Sequence, residues 1–229
     1  QLGNSFILGG VISNGAITLT SANGTRTLTL TGANTYSGAT TVAGGTLAFS
    51  GTGSSSNSAV ILSGTAANPT LDITNTTTGA TIGSLASTST ASVLLGSKTL
   101  TVGGDNTSTT VAGVISGTNG VLVKNGTGAM TLSASNSYSG GTTLNAGAIY
   151  VGNSDALGTG SLTITGGTLG SASSSRTLTN AITLSGNVTL GGLGQSITLN
   201  GNTDLGGGSR TITLSNSATL GGVLSNGSL

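Results

Sequence analysis

Short runs in which an apolar residue alternates with Thr or Ser recur along the whole chain. Ile17-Thr18-Leu19-Thr20, Thr27-Leu28-Thr29-Leu30-Thr31, Thr99-Leu100-Thr101-Val102, Leu162-Thr163-Ile164-Thr165 and Thr211-Ile212-Thr213-Leu214 all show it. A period of two sends alternate side chains to one face, so each run predicts a strand with one face buried. The β-branched residues in these runs suit a pleated surface. Gly, Asn and Ser fill the gaps and supply turns, by tolerating positive φ or by bonding their own backbone. No window repeats its apolar residues at helical spacing, and the chain is predicted to be all-β.

Repeats point to the architecture. Ile182-Thr183-Leu184, Ile197-Thr198-Leu199 and Ile212-Thr213-Leu214 recur every 15 residues, followed by Leu190-Gly191-Gly192, Leu205-Gly206-Gly207 and Leu220-Gly221-Gly222. A unit this short cannot bury its own apolar face, so it must stack on its neighbours as a parallel β-helix. Stacking of like on like predicts one core ladder of Leu184, Leu199 and Leu214 and another of Leu190, Leu205 and Leu220. It also predicts a turn ladder of Asn187, Asn202 and Ser217. Coils of roughly 15–22 residues would give about 10–15 turns and a rod of about 50–70 Å.

Two longer repeats are present. Residues 24–47 align without gaps to 126–149 with 11 of 24 identities, among them Asn34/Asn136, Tyr36/Tyr138, Ser37/Ser139 and Gly38/Gly140. Residues 2–17 align to 214–229 at an offset of 212 with 10 of 16 identities. The expectation is a single continuous β-helix over 1–229, slightly more than one period of a longer repetitive protein. Stacked protomers are the alternative source of that period. A start at Gln1, without a secretory signal pattern, is expected of a processed chain or a fragment.

Composition narrows the function. Gly, Ser, Thr and Asn make up about 60% of the 229 residues, and the chain has no Glu, His, Cys or Trp. Without His or Cys there is no Ser-His-Asp triad, thiol nucleophile or ordinary zinc site. No catalytic residue, metal site or cofactor is expected. Nine charged residues with a net charge of +1 give no electrostatic footprint for nucleic acid. No apolar stretch is long enough for a membrane-spanning helix, so membrane insertion of this segment is not expected. An apolar fraction of 34% with almost no charge is the opposite of a disordered composition.

The 24–47 block and its partner at 126–149 resemble the autotransporter passenger-associated β-strand repeat. The residues that carry the resemblance are Thr27 to Gly38, Thr40-Thr41-Val42 and Gly45-Thr46-Leu47 in the first copy. In the second copy they are Asn136 to Ala146-Gly147, with the lead-ins Gly113-Val114-Ile115-Ser116-Gly117 and Lys124-Asn125-Gly126-Thr127-Gly128. The resemblance implies a right-handed parallel β-helix, exposed at a bacterial surface as part of a secreted passenger, stalk or adhesin.

Individual residues add less. Tyr36 and Tyr138 read as rings packed over the end of a coil with the hydroxyl at a turn, and Phe6, Phe49 and Tyr150 read as core fillers. Asp204 beside Gly206-Gly207-Gly208, and Gly103-Gly104-Asp105, lack the repetition a calcium turn needs. Asp72, Asp105, Lys98 and Arg210 are too scattered to predict a cleft. The Thr-X-Thr runs fit solvated strand faces, and Thr183, Thr198 and Thr213 align without neighbours in phase. The expectation is a structural segment of an extracellular filament, stalk or adhesin, whose partner is itself, end to end and laterally. The competing expectation is a binding module that presents a flat Thr-rich face to surface glycans or ice.

Overall fold

The computed structural model describes residues 5–21, 24–64 and 68–229. Residues 2–4 of the 2–17 phrase lie outside the described residues. Strands are the only regular elements among the described residues, and they pair in parallel around one core.

Three faces wind about that core. The first carries Ser5–Leu8, Thr27–Leu30, Thr46–Gly51, Thr70–Thr76, Ser92–Leu94 and Val114–Ser116, and later Arg176–Leu178, Ile197–Leu199 and Ala218–Leu220. Between these two sheets the stacking continues through backbone bonds from Ser137 N to Ile115 O at 3.0 Å and from Asn136 N to Asp155 O at 3.1 Å. The second face begins at Ile12, whose carbonyl accepts from Thr35 N, and passes through Asn34 and Ser55 to Gly79–Ser87. It continues through Thr99–Val102, Val121–Lys124, Gly141–Leu144, Leu162–Ile164, Ile182–Leu184, Thr203–Asp204 and Leu224–Ser225. The third face includes Ile17–Leu19, Thr40–Val42, Ala129–Leu132, Ala148–Val151, Thr168–Ser171, Val188–Leu190 and Ile212–Leu214. From Ile12 to Leu224 the second face takes ten steps, about 21 residues per coil.

Alternation builds the core. Leu28, Leu47, Leu71, Val93 and Ile115 stand in register beneath the first face, and all are buried. Met130, Ile149, Leu169 and Leu190 do the same beneath the third. Parallel ladders place like beside like at about 4.8 Å, so each coil covers the apolar side chains of the one before it.

The predicted 15-residue ladders do not form. Ile182–Leu184 lies on the second face, Ile197–Leu199 on the first and Ile212–Leu214 on the third. Leu184 is in register with Ile164, Leu190 with Leu214, and Leu199 with Leu220, while Leu205 is a buried core residue just beyond Thr203–Asp204. Each 15-residue unit carries two strands, but one coil needs three. Successive units therefore begin two faces apart, and like segments never lie above one another. Asn187, Asn202 and Ser217 are likewise separated. Asn187 Oδ1 accepts from Thr211 N at 2.9 Å and Asn202 Oδ1 from Val223 N at 3.1 Å, each reaching the coil that follows. Ser217 contributes its backbone carbonyl to Ile197 N.

Of the three predicted core fillers, Phe49 is fully buried. Phe6 is in register with Leu28 on the inward row, but it belongs to the first described coil and is 63% exposed. Tyr150 faces outward, in register with Thr131 and Gly170.

Candidate functional site

The two copies of the longer motif are each one complete turn. In the first, Thr27–Leu30 stacks in register on Thr46–Gly51, and in the second Ala129–Leu132 stacks on Ala148–Val151. The first copy starts on the first face and the second on the third, so the motif builds the same turn from different starting faces.

A buried Asn pins each turn to both neighbours. Asn34 Oδ1 accepts from Ile12 N at 2.9 Å, and its Nδ2 donates to Gly32 O at 2.8 Å and Ser54 O at 2.9 Å. Asn136 Oδ1 accepts from Ile115 N at 2.8 Å, and its Nδ2 donates to Ala156 O at 2.7 Å. An amide suits the site because it offers acceptor and donor at once, satisfying backbone groups of two coils that the corner would otherwise leave unpaired.

The tyrosines solve a second problem. Thr40 and Thr142 occupy inward rows, Thr40 between Ile17 and Val60 and Thr142 between Leu122 and Leu162. A hydroxyl buried there without a partner would be costly. Tyr36 and Tyr138, both fully buried, bring their hydroxyls to 2.7 Å from Thr40 Oγ1 and 2.6 Å from Thr142 Oγ1. Thr40 is further linked to Ser58 Oγ at 3.0 Å, and Ser58 donates to Gly38 O at 2.8 Å. Burial pushes the Tyr138 phenol well above its ordinary range, opposed by the Thr142 hydrogen bond. The rings thus lie inside the coil, not over its end. Gly38 and Gly140 follow because a Cβ at either would fall on a backbone carbonyl of the coil beneath, that of Gly15 or Asn119. Ser37 and Ser139 are exposed, and Ser139 Oγ accepts from Asn119 N at 2.8 Å.

Lys124 is a feature that sequence reasoning missed. It is 1% exposed and stands in the inward row Val102, Lys124, Leu144, Ile164, Leu184. Its Nζ donates to the carbonyls of Asn125, Gly126 and Ala146, the last two at 3.0 and 3.4 Å. Desolvation lowers its pKa, and the charge of Asp105 works against that. The signal was present in Val121-Leu122-Val123-Lys124, where strict alternation already assigns Lys124 to the side of Leu122.

Other charged groups bond within their own turn or to an adjoining coil. Asp72 Oδ1 accepts from Thr74 N and Oγ1, Asp105 accepts from Ser84 Oγ and Thr107 N, and Lys98 donates to Thr77 O. Arg210 Nε donates to Leu184 O, and Asp204 Oδ1 accepts from Gly206 N and Asn226 Nδ2. Among the described residues no group of three or more His, Cys, Asp or Glu is placed to hold a metal ion. Among the described residues no helix is long and apolar enough to cross a membrane.

Outward hydroxyls do come into phase, on rows other than the expected one. Thr183, Thr198 and Thr213 lie on three different faces. On the second face Thr143, Thr163 and Thr183 are in register, and on the first Thr27, Thr46 and Thr70.

Comparison with known proteins agrees with this geometry. Residues 21–49 and 122–151 match the family described as Passenger-associated-transport-repeat, and these two stretches contain the two pinned turns. The chain is similar to the adhesin BmaC autotransporter of Brucella suis biovar 1 (strain 1330), with 40% identity over 82 residues. That match covers 35% of this chain and 2% of the relative, so the chain spans a small fraction of the relative's length. No solved structure matches the chain.

Proposed function

We propose that this chain is a rod segment of an adhesin-like passenger at a bacterial cell surface, with a structural and non-enzymatic role. The observation that carries the reading is that both matched repeats are single turns of the β-solenoid that the described residues form. Such turns add length, since each extends the rod by one strand spacing of about 4.8 Å. Backbone hydrogen bonds between coils run along the rod axis, so a pull on the rod is resisted by many bonds acting together. The scarcity of charge leaves faces of Thr, Ser and Asn able to bond copies of themselves, and unpaired edges at a coil end favour end-to-end pairing.

Deletion of one 212-residue period from a surface-displayed passenger carrying this segment tests the reading. The appendage is expected to shorten by about 50 Å with its export retained. An unchanged length, or loss of binding to a soluble glycan with no change in length, would overturn the rod in favour of a binding module.

A further inference from the structure

We infer that Gly222-Val223-Leu224-Ser225 is a receptor for one particular occupant, a coil of the 24–47 type supplied by a second copy of this period. The inference rests on the rod reading and names which coil stacks where.

The phrase Gly-Val-(Ile or Leu)-Ser occurs three times, at 10–13, 113–116 and 222–225. The first two are each covered by a motif turn in the same way. Ile12 N donates to Asn34 Oδ1, and Ile12 O accepts from Thr35 N at 2.9 Å. Ile115 N donates to Asn136 Oδ1, and Ile115 O accepts from Ser137 N at 3.0 Å. The two pairs lie on different faces, so the coupling belongs to the phrase and the motif, not to one position in the rod. In both cases the Asn follows its Ile by 22 or 21 residues.

The third phrase is poised like the second, in which Val114 N donates to Ala91 O and Ser116 O accepts from Leu95 N. Thr203 N donates to Val223 O and Leu205 N to Ser225 O, which ties the flanking residues to the coil beneath. In a parallel ladder the intervening residue directs its own N–H and C=O the opposite way, so those of Leu224 point to the next coil. The surroundings also agree. Ser5–Leu8 and Ala218–Leu220 share the first face, with Leu8 in register with inward Leu30 and Leu220 with inward Leu199. Ile12 and Leu224 share the second face, ten coils apart. Gly15 and Gly227 both have positive φ, +93° and +155°, and Gly15 is where Gly38 of the covering turn packs. The 212-residue offset is therefore a whole number of coils, and a second period arriving in that frame would set its Asn34 over Leu224.

The experiment extends the full chain by residues 18–49 placed directly after Leu229, which continues the 212-residue frame, and follows amide exchange residue by residue. Exchange at Leu224 N–H is expected to slow by about tenfold or more against the unextended chain. The same extension carrying Asn34→Ala in the added copy should give back most of that protection. Ile115 N–H, already capped, should be unchanged in all three chains and reports that the rod is folded. Unchanged exchange at Leu224 in the in-frame chain, or equal slowing with Asn34→Ala, would overturn the assignment. Either result leaves the deletion test of the rod untouched, because a rod with another period would still shorten.

Discussion

Lys124 takes the rung directly before Leu144 in an inward row that is otherwise aliphatic. Its ammonium is held by backbone carbonyls and not by a paired carboxylate, so the site is defined by hydrogen bonding in a desolvated pocket. Truncation and isosteric replacement should therefore differ. Lys124→Ala empties the rung and leaves carbonyls without donors, for a loss of about 2–4 kcal/mol. Lys124→Met restores apolar volume and should cost clearly less, as read from urea midpoints at constant m-value.

The same lysine predicts a pH effect. Burial lowers its folded pKa below the ordinary 10.5, so the unfolded chain holds more protons between the two values. The penalty for the buried charge is fully present below the folded pKa and is removed as pH rises towards 10.5. Stability should rise over that window in the native chain, and the rise should vanish in Lys124→Met.

Tyr138 predicts the opposite slope at higher pH. Its folded pKa is raised above the ordinary 10.0, so above about pH 10 the unfolded chain releases a proton that the folded chain keeps. The stabilisation is present below pH 10 and is lost as pH climbs beyond it. Tyr138→Phe should cost about 1 kcal/mol at neutral pH through the lost hydroxyl pair, and should flatten the alkaline decline. A decline of unchanged steepness in Tyr138→Phe would count against this origin.

Asn34 and Asn136 should behave alike despite lying on different faces. Asn136→Ala strands Ile115 N and Ala156 O, and the expected loss is about 2 kcal/mol or more in equilibrium unfolding. Asn136→Asp should recover little of it, because a carboxylate accepts from Ile115 N but cannot donate to Ala156 O. Ser37→Ala, at an exposed position of the same motif, should fall within about 0.5 kcal/mol of the native chain.

The lateral association proposed above should be separable from stability. Thr163 stands outward between Thr143 and Thr183 on the second face. Thr163→Lys should leave the unfolding midpoint nearly unchanged while lowering side-by-side bundling in sedimentation. Bundling that persists unchanged would remove this face from the contact.

Much of this was legible in the sequence. Alternation in runs such as Thr99-Leu100-Thr101-Val102 specified strands, and the repeats specified parallel stacking. The Asn and Tyr of the motif were visible as positions, though not their task of satisfying neighbouring coils and inward Thr40 and Thr142. Which Leu meets which was not legible, because the 15-residue unit supplies two faces of a three-faced coil. Coil length emerges only when corners of unequal length, such as the irregular stretches at 48–50 and 55–59, are closed around a common core. Lys124 was hidden for a different reason, since its charge argued for solvent while its place in the alternation put it inside.

The central proposal is a rod of about ten coils that lengthens by end-to-end stacking, and electron microscopy of the unfixed, purified chain tests it most directly. Rods of about 50 Å that join into end-to-end multiples at rising concentration are the predicted result. Compact particles, or rods that stay single at every concentration, would contradict it.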